Sequence, residues 1–134
     1  ALGLSEETGS RGLPLGVAAS TGAVWRAVLV TSAVFGLWHL GNAVFFGSSL
    51  DDAWWQVLTA GAFGFCLAGM RLATGSIWPA VLLHAFSDWT QLLTPGAAPL
   101  WYQIAVVALH LGWGAVLVVL SLRPPGAGTI SPGA

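Results

Sequence analysis

The stretch LWYQIAVVALHLGWGAVLVVLSL, Leu100 to Leu122, holds no Asp, Glu, Lys or Arg. A helix rises about 1.5 Å per residue, so about 20 mainly apolar residues suffice to cross a hydrocarbon core about 30 Å thick. The stretch therefore reads as a membrane span. Working back toward the amino terminus, three more apolar runs of similar size appear: Ala23 to Phe46, Ala53 to Met70, and Ile77 to Leu93. Polar or helix-breaking text separates them, GSSLDD, then RLATGS, then TPGAAP with its two prolines. The apolar runs are too long for barrel strands and lack alternation. The expected fold is an all-α, multi-pass transmembrane helical bundle of about four spans, with a partial helix before them.

Composition supports this reading. Of 134 residues, 56% are hydrophobic and 7% charged, where globular chains carry about 25% charged residues. Eight tryptophans and eighteen glycines suit a bilayer, because indoles anchor at interfaces and small residues let helices approach closely. Four arginines, no lysine and a net charge of -1 leave no basic patch for nucleic acid. The expected surroundings are a lipid bilayer. With four crossings, Arg26, Arg71 and Arg123 fall on one side, which the positive-inside rule makes the cytoplasm; a bacterial plasma membrane is the expected location. The opening ALGLSEETGSRG lacks the regions of a signal peptide. The expected organisation is a carboxyl-terminal catalytic part over residues 1–122, cut from a longer chain, and a disordered tail over 123–134. Cys66 stands alone and forms no internal disulfide.

Against so apolar a background, ionisable residues inside the runs are conspicuous. In IWPAVLLHAFSDW, His84 and Asp88 stand four apart and share one helix face. Glu7 and Arg11 have the same spacing in EETGSR, as do Phe35 and His39 in FGLWH. Counting along ideal helices puts His39 about 20 Å from Arg26 and His84 about 12 Å from Ser76, both near mid-membrane. Glu6 reaches a matching level if its helix descends to a turn near Ser20 and Thr21. A single buried histidine is most often a packing residue. A set at one depth points instead to a site, because ionisable groups in lipid are costly. Phe35 reads as ordinary packing, His110 as structural, and Asp51 and Asp52 as a solvated loop near a helix start.

Such a cluster has several uses. A carboxylate with an imidazole can take a proton from water and make it a nucleophile, while a second imidazole stabilises an oxyanion. The same groups could bind zinc with an open position, or form a proton or haem site. The residues alone leave these open.

Three motifs narrow the field. EETGSR fits E-E-x-x-x-R, FGLWH fits F-x-x-x-H, and HAFSD fits H-x-x-x-N/D, in that order from Glu6 to Trp89. With the lead-in TGSIWPAVLLH, the chain resembles the CAAX protease and bacteriocin-processing family of intramembrane endopeptidases. The resemblance implies hydrolysis of a peptide bond in a peptide or protein substrate, including membrane-associated ones. It implies that Glu6 and His39 activate water, that His84 and Asp88 form the oxyanion site, and that Glu7 and Arg11 support the geometry. Another account of the family is metal-dependent, so the cofactor expected is either none or a divalent metal such as zinc on Glu6, His39 and His84. A non-catalytic relative acting in bacteriocin self-immunity or as a scaffold is the alternative. One departure stands out. Thr8, Gly9 and Ser10 occupy positions that are usually apolar or aromatic, and with Pro14 they predict a weakened helix, since Gly and Pro cost about 1 and 3 kcal/mol in a helix interior.

Overall fold

The computed structural model describes residues 2–20, 22–93, 96 and 98–123. Among these there is no strand, and every expected apolar run is helical. The elements are α1 (Leu2–Glu7), a π-helical turn (Thr8–Gly12), α2 (Leu13–Ser20), α3 (Val24–Trp38), α4 (Gly41–Phe46), α5 (Leu50–Thr74), α6 (Trp78–Leu93) and α7 (Leu100–Ser121). Thr21 and residues 124–134 of the expected tail lie outside the described residues.

The weak helix expected around Gly9 resolves into a widened turn rather than a break. Thr8 Oγ1 donates to the Leu4 carbonyl and Ser10 Oγ to the Glu6 carbonyl. Hydroxyls that bond back four residues occupy carbonyls otherwise used by the backbone ladder and bend helices. One π turn absorbs the perturbation, and the helix resumes through Ser20. Gly22, at φ +81°, then reverses the chain.

The first long run, expected as one span from Ala23 to Phe46, is divided. The Leu40 N–H reaches the Leu37 carbonyl and the His39 N–H reaches Gly36, so the last turn of α3 tightens to three-residue spacing. The chain turns through His39 and Leu40 before α4 starts at Gly41. α3 is therefore 15 residues long, and His39 caps its end instead of lying mid-helix. α5 is longer than expected, at 25 residues. Ser49 caps it by accepting from the Asp52 N–H at 3.1 Å while donating to Asp52 Oδ2 at 2.6 Å. Asp51 and Asp52 thus belong to its first turn, where negative charge meets the positive end of the helix. Gly75, at φ 68°, ends it in the left-handed conformation. α5 and α7 are long and apolar enough to cross a membrane. α3 and α6, at 15 and 16 residues, are shorter.

α5 is the central helix. α3 lies antiparallel to it, with Gly36 against Val57 and Gly61 at one end and Ala27 and Val28 beside Phe65 and Ala68 at the other. α7 lies parallel to it, Trp55 Nε1 donating to Gln103 at the beginning and Gly69 facing Gly114 further on. The start of α3 and the ends of α5 and α7 thus share one end of the bundle. Arg26, Arg71 and Arg123 belong to those helix ends. Leu15 of α2 closes the core there with Val118.

Glycine makes these contacts. A Cβ at Gly36 would lie 2.6 Å from the Val57 carbonyl oxygen, and one at Gly114 would lie 2.6 Å from the Phe65 ring. Bare backbone lets the helices touch, which is how association in lipid is driven. Gly36→Ala is expected to cost about 1–3 kcal/mol by overpacking. At Gly112 a Cβ meets nothing within 4 Å, so Gly112→Ala should be neutral or stabilising by up to about 1 kcal/mol. Unfolding in mixed micelles distinguishes the two; equal effects would contradict the backbone-contact account.

Candidate active site

The polar residues singled out in the sequence meet where α1 and the π turn pass between α3 and α6. Glu7 and Arg11 are completely buried. Glu7 Oε1 accepts from Arg11 Nη1 at 2.8 Å and from His84 Nδ1 at 2.8 Å. One carboxylate oxygen thus joins the π turn to α6. A carboxylate only accepts, so His84 carries hydrogen on Nδ1. Its other nitrogen, Nε2, faces Glu6 Oε2 at 3.6 Å and Asp88 Oδ1 at 3.6 Å.

Phe35 stands at the centre of this arrangement. The Arg11 guanidinium lies over its ring, with the central carbon 4.1 Å from the centroid, a cation–π contact. Its ring meets those of His39 and His84 edge-on, at centroid distances of 5.2 and 5.8 Å. The Phe35 carbonyl accepts from His39 Nδ1 at 2.9 Å. A carbonyl cannot donate, so Nδ1 carries hydrogen and Nε2 is the His39 nitrogen left for other partners. Phe35, read from sequence as packing, is thereby the surface that arranges three functional side chains.

α5 supplies space and a wall. A Cβ at Gly64 would stand 2.5 Å from Arg11 Nη2 and 3.0 Å from the Phe35 ring. Only glycine admits the buried guanidinium. Phe63 packs edge-on against His84 at 5.5 Å and, tilted, against His110 at 5.0 Å. Ser10 Oγ accepts a second bond from Arg11 Nη1 at 2.9 Å. Phe63, Gly64 and Ser10 were not distinguished in the sequence, where only the proximity of Ser10 to Arg11 offered a signal.

Glu6 differs from its neighbour. Its side chain is 36% exposed, and it lines two cavities. One, of about 560 Å³, also includes His39, Gln56, Phe45 and Phe46. The other, of about 590 Å³, runs along Gly9, Val30, Val34 and Phe35. Trp38 borders both. The break after α3 opens the first cavity, since Gly41 and the aromatic residues of α4 form its wall.

His84, Glu7 and Arg11 are directly bonded; Glu6 and Asp88 approach His84; His39 shares a cavity with Glu6 and a ring contact with Phe35. Among the described residues, no group of three His, Cys, Asp or Glu side chains is disposed to hold a metal ion. The expected metal set of Glu6, His39 and His84 is not among such groups, although the Nδ1–H donated to Glu7 leaves His84 Nε2 facing Glu6. Glu7 Oε2, Arg11 Nε and Arg11 Nη2 are buried without a hydrogen-bond partner among the described residues.

A helical membrane bundle whose interior holds carboxylates and imidazoles beside cavities defines an embedded site able to move protons. Residues 1–90 match the type II CAAX prenyl endopeptidase Rce1-like family. The chain belongs to this family of membrane-embedded proteases. The match takes in Glu6, Glu7, Arg11, His39, His84 and Asp88 and every helix before α7 except the last three residues of α6. No curated protein and no solved structure matches the chain.

Proposed function

We propose that the protein is an intramembrane endopeptidase in which Glu6 and His39 activate a water molecule and His84 stabilises the tetrahedral intermediate. The observation that carries this reading is the double anchoring of His84: Nδ1 is held by buried Glu7 while Nε2 is directed toward Glu6. A fixed imidazolium beside a partly exposed carboxylate supplies an oxyanion donor next to a general base.

In this reading a water in the cavity shared by Glu6 and His39 donates one hydrogen to Glu6 and is oriented by His39 Nε2. Its oxygen attacks the scissile carbonyl carbon as Glu6 takes the proton. The oxyanion accepts from the Nε2–H of His84, which in this step is an imidazolium carrying hydrogen on both ring nitrogens. Collapse breaks the C–N bond, and Glu6 returns its proton to the leaving amine. Asp88, an acceptor when ionised, orients and charge-balances His84 instead of bonding the oxyanion. Glu7 and Arg11 hold the frame. The substrate is a peptide or protein segment reaching the site from the bilayer, and the arginine-bearing end of the bundle faces the cytoplasm of a bacterial plasma membrane. Membership of a protease family does not favour the non-catalytic immunity or scaffold alternative.

Cleavage of peptides by the full-length protein in proteoliposomes tests the reading. Hydrolysis is expected with the native protein and not with Glu6→Ala or His39→Ala. Undiminished cleavage by both variants would sink it.

A further inference from the structure

His84 can bond an oxyanion only if its ring is held in direction as well as in place. Glu7 fixes one atom of it, Nδ1, at 2.8 Å. A hydrogen bond keeps its preferred geometry through about 30° of bending, whereas a catalytic group has to be held within about 10–20°. Glu7 therefore leaves the plane of the imidazole under-determined. Two aromatic rings supply the missing restraint. Phe35 of α3 stands at 82° to the imidazole with centroids 5.8 Å apart, and Phe63 of α5 stands at 89° and 5.5 Å. In a close-packed interior, tilting the imidazole would drive it into rings set across its plane.

The two rings are themselves held, but by different parts of the chain. Phe35 lies under the Arg11 guanidinium and against His39. Phe63 lies against His110 of α7, at 5.0 Å and 47°. His110 is on the face of α7 that grips α5. Gln103, seven residues earlier, accepts from Trp55, and Gly114, four residues later, faces Gly69; residues at those spacings share one side of a helix. A ring path thus runs from α7 through Phe63 to the imidazole. We infer that Phe63 is a positioning residue for His84 and that His110 seats it, so that α7 takes part in the reaction although it lies beyond the residues matched to the family. This rests on His84 stabilising the tetrahedral intermediate. His110 acts through its flat ring and not through charge, because what it meets is a phenyl group.

The test uses the full-length protein in proteoliposomes and an internally quenched peptide selected from a mixed-sequence pool for cleavage by the native protein. Phe63→Leu keeps an apolar side chain but removes the ring. It should lower kcat by about 10- to 100-fold, the scale of a misplacement of about 1 Å, and leave KM within about 3-fold. His110→Ala should lower kcat in the same direction by about 3- to 10-fold, and His110→Phe should restore it. Val118→Ala, which hollows the core away from the site, should lower the unfolding midpoint without lowering kcat. Should Phe63→Leu fail to fold, the two His110 variants carry the comparison. A second readout does not depend on turnover. In protein labelled with ¹⁵N-histidine, the His84 Nδ1–H signal, assigned by its loss in His84→Gln, should be narrow and slow to exchange with solvent. Phe63→Leu and His110→Ala should broaden it and speed exchange, while His110→Phe and Val118→Ala should not. That pattern without hydrolysis by any protein would uphold the seating of His84 and overturn the protease reading. Hydrolysis with kcat unchanged by Phe63→Leu, a fall in kcat shared by Val118→Ala, or failure of His110→Phe to restore what His110→Ala loses would overturn the positioning role alone.

Discussion

Glu6→Gln is expected to lower kcat/KM for peptide hydrolysis by about 10²- to 10⁴-fold, the contribution typical of a positioned general base, while leaving the unfolding midpoint in detergent nearly unchanged. Gln preserves the shape of Glu and its hydrogen-bonding capacity but cannot take a proton. The structural cost is small because the Glu6 side chain is 36% exposed and its approach to His84, at 3.6 Å, is longer than a hydrogen bond. Substitutions of that kind away from buried networks usually change stability by less than about 0.5 kcal/mol. Glu7→Gln is expected to lower the unfolding midpoint markedly. Glu7 is fully buried and accepts from both Arg11 and His84. Removing its charge leaves the guanidinium uncompensated, at a cost of about 3–5 kcal/mol. Kinetics and unfolding measured on both variants would separate the neighbouring acids. A Glu6→Gln protein that turns over normally, or that unfolds as readily as Glu7→Gln, would contradict the division of labour.

The i,i+4 spacings of Glu7 with Arg11 and His84 with Asp88 announced two one-sided pairs, and the scarcity of charge elsewhere marked them as unusual. Both pairs are present in the fold, and they face each other across His84 and Glu7. Other features depend on tertiary competition that helical periodicity does not encode. The π turn forms where the Thr8 and Ser10 hydroxyls bond back to carbonyls, and it persists because Arg11 is held in a buried position by Glu7. A local rule can register the weak helix at Gly9, but not the widened turn that results. The corner at His39 and Leu40 is similar: helical periodicity runs through it, and the cavity beside it is lined jointly by Gly41, Phe45 and Phe46 of α4 and Gln56 of α5. Phe35 was marked by its spacing from His39 but read as packing, and Gly64 was silent because a glycine in an apolar run is usual. Their roles follow from the flat guanidinium that one supports and the other admits.

Arg11→Met is expected to destabilise the protein by about 3–5 kcal/mol, because it leaves a buried carboxylate short of its cationic partner. Met approximates the length of the Arg stem, so the loss reports charge more than volume. Glu7 would keep His84 Nδ1 as a donor, and the imidazole would then carry a bond previously shared with a guanidinium. Glu7→Gln combined with Arg11→Met removes both charges and should therefore cost less than the sum of the single substitutions, by an interaction energy of about 0.5–3 kcal/mol. Gly64 offers an independent check on the same geometry. In the native protein Gly64→Ala forces a methyl group to within 2.5 Å of Arg11 Nη2 and 3.0 Å of Phe35, an overpacking worth about 1–3 kcal/mol. With Met at position 11 the flexible thioether can retreat, and the cost of Gly64→Ala should fall. Unfolding midpoints of the four proteins in each cycle, measured in mixed micelles, supply the comparison. Strict additivity in both cycles would mean that Arg11 is not held by Glu7 on one side and admitted by Gly64 on the other, and the frame proposed for His84 would lose its support.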